Sequence, residues 1–175
     1  ANATDTNAVA IGWGAQALAY EGTAIGRASI AQSGGLAIGS GAVAGHSQSA
    51  DGTVTTYTNA TALGTRAQAL NGNATALGYE SNASGASATA LGAGSKAEGI
   101  GATAFGLSAS ASGNNSVAGG RQSIATTGNS TAFGYQSRAT DTGATAIGNS
   151  TTASNILSVA IGNASQAGGG VARAL

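Results

Sequence analysis

Large apolar side chains are spaced along this chain at fixed intervals. Ile11, Ile25, Ile38, Leu63, Leu77, Leu91, Phe105, Phe133, Ile147 and Ile161 each stand between an alanine and a glycine. The glycines are Gly12, Gly26, Gly39, Gly64, Gly78, Gly92, Gly106, Gly120, Gly134, Gly148 and Gly162, with Gly119 in the apolar place of one copy. From Gly64 onward the spacing is fourteen residues throughout. Gly26 to Gly39 is thirteen, and Gly39 to Gly64 is twenty-five, so about eleven extra residues sit there. Two residues before each glycine is always Ala, as at Ala10, Ala24, Ala76, Ala90 and Ala146; five after it is always Ala, as at Ala83 and Ala97. Three after it is always Ala, Ser or Thr.

Alternation with a period of two places successive side chains on opposite faces of a strand. A five-residue segment ending at glycine, a turn, a second short strand and another turn fill fourteen residues. The expected fold is therefore all-β, a parallel β-solenoid of about fourteen-residue coils, each hydrogen-bonded to the coils above and below. At about 4.8 Å per coil, eleven coils stack to roughly 50 Å. The two invariant alanines belong to the two strands of one coil. If both point inward, the interior is only a methyl or two thick, and a leucine there would overpack it. Ala10, Ala24, Ala76, Ala83, Ala90, Ala97 and Ala146 are thus expected inside.

The large residues then fall on the outer face of the first strand. A column of ten apolar side chains facing water is rare on a monomer. The simplest cover is the same column on other copies of the chain, and burial of ten such residues contributes at most roughly 15–30 kcal/mol per chain. A homo-oligomer interface is expected along Ile11, Ile25, Ile38, Leu63, Leu77, Leu91, Phe105, Phe133, Ile147 and Ile161.

Charge agrees with this division. None of the eleven five-residue segments ending at the repeat glycine carries a charge. The second strand offers outward positions such as Gln68, Asn82, Lys96, Ser110 and Arg138, a face read as polar and solvent-facing. Gln68, Asn82, Lys96 and Arg138 are the candidate ligand-facing residues there. The extra residues at about 46–58 read as an added hairpin with Asp51-Gly52 at its turn and Thr53–Thr58 as a strand. A protruding loop is a natural contact point, which adds His46 and Tyr57 to the candidates. His46 is the only histidine and Asp51 its only near carboxylate in sequence, so a surface role is expected rather than a metal or catalytic one.

Composition narrows the classes further. The 175 residues carry no net charge, 7% charged and 4% aromatic residues, 30 glycines, and neither proline nor cysteine. Disordered chains are typically charged and proline-rich, so the strict period points to a repeat architecture instead. Disulfides and thiolate metal sites are excluded, and no cofactor is expected. No apolar run is long enough to span a membrane as a helix, and the start shows no basic-then-apolar leader, so direct membrane insertion by this stretch is not expected. Nucleic acid would require a concentrated basic face. The GxG triplets, such as Gly92–Gly94, are repeat turns, and the Asn-x-Ser/Thr triplets, as at Asn73 and Asn163, are by-products of the repeat.

The units NATALGYESNAS from Asn73, NSTAFGYQSRA at Asn129–Ala139 and LSVAIGNASQA at Leu157–Ala167 resemble the YadA-like head repeat of trimeric autotransporter adhesins, close to [ND]-S-x-A-[IL]-G-x-x-S-x-A. The resemblance runs from Asn7 to Ala167, with repeats at about 7–45 and 59–167 and a tail, 168–175, that lacks a clear neck sequence. It implies one head domain over 1–175, a left-handed parallel β-roll assembled as a homotrimer. It further implies display on a bacterial cell surface, anchored in the outer membrane by other regions. The implied partners are host matrix proteins such as collagen, fibronectin or laminin, bound without catalysis. Two other readings compete: a spacer that projects another binding domain, and an ice-binding solenoid. Thr75, Thr89, Thr103, Thr131 and Thr145 do form a column, but it is interleaved with the large apolar residues, and Val9, Val117 and Val159 replace threonine in it.

Overall fold

The computed structural model describes residues 1–48, 53–169 and 173–174. It is a parallel β-solenoid of about twelve turns. Two twelve-stranded sheets run its length, each pairing only equivalent strands of successive coils. The wide sheet is built from three-residue strands, from Val9–Ile11 through Thr75–Leu77 to Val159–Ile161, and is completed by Arg173–Ala174. The narrow sheet is built from two-residue strands, from Asn2–Ala3 through Asn82–Ala83 to Gln166–Ala167. The ladders thus extend beyond 7–167 at both ends: Asn2 pairs with Gln16, and Val159 with Arg173.

Register is fixed by the repeat. Thr75, Ala76 and Leu77 align with Thr89, Ala90 and Leu91, and Asn82 aligns with Lys96. Counting from the repeat glycine as position zero, positions 3, 5, 10 and 12 are enclosed. Ala83, Ala97, Ala24, Ala76, Ala90 and Ala146 are fully buried. Ala10 is half-buried, because it lies in the first wide-sheet strand, which has a paired neighbour on one side. Positions 3 and 10 supply the rest of the interior, with Ala67, Ala74, Ala88, Ser81, Ser95, Ser116 and Ser130 all inaccessible to solvent.

These positions reveal a shorter unit inside the coil. Positions 3 and 5 are repeated by 10 and 12, seven residues later. Each half-coil opens with the same β-turn. Ser81 N–H donates to the Gly78 carbonyl at 3.3 Å, and Ala74 N–H donates to the Asn71 carbonyl at 3.2 Å. The third turn residue is left-handed in both, as at Glu80 (φ 53°) and Asn73 (φ 56°). Buried serines close the same turn with their side chains: Ser95 Oγ donates to the Gly92 carbonyl at 2.8 Å, and Ser116 Oγ to the Gly113 carbonyl at 2.7 Å. Each of these buried serine hydroxyls therefore has its acceptor within its own turn, as burial requires.

The repeat glycine distinguishes the two halves. Gly78 has φ +133°, and a Cβ there would lie 2.7 Å from the Gly92 carbonyl carbon of the next coil. Backbone stacks directly on backbone, so only glycine fits this column.

The insertion is a hairpin of His46–Gln48 paired antiparallel with Val54–Thr56; the expected Asp51-Gly52 turn lies outside the described residues. The coil resumes at Tyr57, whose N–H donates to the Gly45 carbonyl at 2.7 Å. Tyr57 and Thr58 thus belong to the coil rather than to the excursion. Both sheets continue past the hairpin unbroken, with Leu36 paired to Thr61 and Val43 to Gln68.

Candidate assembly and binding surfaces

The outer face of the wide sheet carries one continuous apolar ridge. Ile11, Leu63, Leu77, Leu91, Phe133, Ile147 and Ile161 are exposed, with Leu77 39% and Leu91 45% accessible; Ile25, Ile38 and Phe105 are half-buried. Gly119 is a gap in the ridge by composition only. The Phe105 and Phe133 rings, from the coils on either side, meet edge-on over it with centroids 5.5 Å apart. A Cβ at Gly119 would fall 2.8 Å from the Phe133 ring. The neighbouring outward column, with Thr75, Thr89 and Thr103, is half-buried between these larger side chains.

The outer face of the narrow sheet is different. Gln68, Asn82, Lys96 and Arg138 stand in one column at position 4, the first three on successive coils. Asn82 Nδ2 donates to Gln68 Oε1 at 3.3 Å. The column is not uniformly polar: Ile30, Val43 and Ile124 occupy it too, each half-buried. Three coils further on from Lys96, Arg138 lines a shallow groove of about 410 Å³ with Gln122, Ile124, Gln136, Ser150 and Thr152. Gln136 Nε2 donates to Gln122 Oε1 at 3.3 Å along its edge.

His46 and Tyr57 lie away from this groove, at the base of the hairpin. His46 Nδ1 is 3.0 Å from Gln32 Nε2. Gln32, in the thirteen-residue coil, is nearly inaccessible to solvent, so the histidine seats the hairpin on the solenoid. Among the described residues no group of His, Cys, Asp and Glu could hold a metal ion.

Three arginine–aromatic pairs, which sequence reading left unpaired, lie along the turn that follows the glycine. Arg27 covers Trp13, Arg66 covers Tyr79, and Arg121 covers Tyr135, with guanidinium-to-ring distances of 5.4, 5.8 and 5.4 Å. Each joins residues of adjacent coils, and the signal was the near-fourteen spacing of the partners. Arg66 Nη1 also donates to the Tyr79 hydroxyl at 3.0 Å and pairs with Glu80. The Tyr79 hydroxyl, and then the Arg66 guanidinium, hold the Glu80 carboxyl below its ordinary pKa.

A Val/Thr-Ala-Ile/Leu/Phe-Gly strand on an alanine interior, with a left-handed turn and a serine-closed corner, recurs with little change along the solenoid. The YadA head domain repeat profile matches residues 3–29, 58–81, 71–95, 83–109, 97–123 and 128–151, well over half of the chain. The chain belongs to the YadA head repeat family. No curated protein matches it. The longest unmatched stretch, 30 to 57, holds most of the shortened coil and the hairpin, where the fourteen-residue spacing fails; 124–127 and 152–175 are unmatched too. As a YadA-like head, the chain is of the adhesin type found in trimeric autotransporters.

Proposed function

We propose that this chain is the head of a bacterial cell-surface adhesin, one domain over 1–175, wound left-handed and assembled as a homotrimer through the wide-sheet ridge. The observation that carries the reading is the ridge itself. Ten large apolar residues stand outside a coil whose interior is filled by alanine and serine. Each is already partly covered by its neighbours, so assembly contributes roughly 1 kcal/mol per side chain, enough over ten to hold three chains together. The narrow sheets then face outward in triplicate. Weak contacts repeated along three rods bind by avidity, without a deep pocket or catalysis. Host matrix proteins such as collagen, fibronectin and laminin suit such a surface. Regions beyond this stretch anchor it to the outer membrane.

The test is binding of the purified chain to immobilised collagen, fibronectin and laminin by surface plasmon resonance, beside a cell-attachment assay. Attachment to matrix or cells is expected. Failure of both, by a correctly folded trimer, supports the spacer reading, which the near-identity of successive coils favours. The ice-binding reading loses its flat threonine array to the interleaved ridge.

A further inference from the structure

We infer that the groove over residues 122–152 is a binding site for an anionic glycan, a polysaccharide bearing carboxylate or sulfate groups; the inference rests on the adhesin reading and specifies a ligand class for it. Four observations converge there. The groove is lined by two glutamines, two hydroxyl residues, one isoleucine and Arg138. Arg121 and Tyr135 immediately precede the lining residues Gln122 and Gln136 in the chain, with the guanidinium over the ring at 5.4 Å. The Gln136-to-Gln122 bond holds both amides in a row, leaving one N–H₂ group and one carbonyl oxygen for hydroxyls. The charge around the groove is positive. The charged residues on the groove's own coils are Arg121 and Arg138 against Asp141, although the whole chain is neutral.

These groups match the parts of an acidic sugar chain. Guanidinium forks pair with carboxylate or sulfate oxygens. The Tyr135 ring offers an apolar face to a sugar ring, and the amides and hydroxyls of Gln122, Gln136, Ser150 and Thr152 meet its hydroxyls. Residues on three successive coils span roughly 10 Å at about 4.8 Å per coil, the scale of a short run of sugar rings. An acidic peptide would use the arginines but leave the amide row and the ring with less to do. The Arg66–Tyr79 pair has the same stacked geometry but is neutralised by Glu80, so it serves as an internal control.

The experiment is calorimetric titration of the full chain with a heparin hexasaccharide, a hyaluronan hexasaccharide, neutral dextran and a polyglutamate peptide. Fold is checked by circular dichroism for the wild type, Arg121→Gln/Arg138→Gln and Arg66→Gln. Heparin or hyaluronan should bind, and the two distinguish sulfate from carboxylate recognition; dextran should not. The double variant should lose about tenfold or more in affinity, and Arg66→Gln should not. Equal binding of dextran, preference for polyglutamate, or an unchanged double variant overturns the inference. If the wild type attaches to matrix or cells but binds neither acidic glycan, this inference falls while the adhesin reading stands. If it attaches to nothing, both fall.

Discussion

Two kinds of left-handed residue support each coil, and they differ in what they tolerate. Gly92 has φ +129°, and an added Cβ would sit 2.7 Å from the Gly106 carbonyl oxygen. Gly94 has φ +64° with only the Ser108 hydroxyl near, at 3.5 Å, and equivalent turns carry Glu80, Ser108 and Gln122 in the same conformation. Gly92→Ala is therefore expected to cost about 3 kcal/mol or more, from strain plus collision. Gly94→Ala should cost about 1 kcal/mol; chemical denaturation of both variants measures the contrast. A smaller effect belongs to Glu80. Its carboxyl titrates below its ordinary value because the Tyr79 hydroxyl and Arg66 favour the charged form. A depressed carboxylate stabilises the fold above its unfolded pKa, about 4.3, and that contribution vanishes as pH falls through the lowered folded value. Wild type should thus melt slightly above Glu80→Gln at pH 7 and together with it at the acid end of a melting series, with salt narrowing the gap at neutral pH.

At the scale of the coil, the fourteen-residue period was legible because glycine and two alanines mark it without exception. The seven-residue half-coil was not. Its turns share a conformation, but position 7 carries Asn71, Gly85, Thr127 or Asp141, so no single residue type signals it. The interior residues at position 3 were seen as small and those at position 10 were not singled out; the burial of both follows only from the turn that folds them in. The extra residues between Gly39 and Gly64 were legible as a count. Their boundary was not, because Tyr57 looks no more like a coil residue than His46 does. Removing residues 46–56 restores a spacing of fourteen between Gly39 and Gly64. Gly45 and Tyr57 already meet at the neck through a 2.7 Å hydrogen bond, and both sheets already pair across it. The deletion variant is expected to keep its β content and to melt within a few degrees of the parent. A large fall would show that the Gln32–His46 contact supports the coil beneath, rather than the reverse.

For the whole molecule, the outward ridge is the feature on which assembly depends. The sequence could place large residues opposite the alanines because strand alternation leaves one alternative, and a leucine does not fit a layer filled by methyl groups. What the period could not convey is the bridging of Gly119 by Phe105 and Phe133, since the spacing shows a hole where the rings make a contact. The ridge has no charged residue along it, so one charge placed mid-column opposes its own copies across a shared interface. Leu77→Lys together with Leu91→Lys keeps both coil interiors intact, because these side chains point away from the buried alanines. In a monomer the change is nearly neutral, for residues already about two-fifths exposed gain solvation for their new charge. In a trimer it buries six ammonium groups beside one another, which desolvation and like-charge repulsion forbid. Sedimentation equilibrium should give about 49 kDa for the parent, three chains of 16.3 kDa, and about 16 kDa for the variant, with matching far-ultraviolet dichroism. Equal masses of about 49 kDa would move the interface off the ridge. A monomeric parent would leave the ridge as an exposed face that needs a different cover.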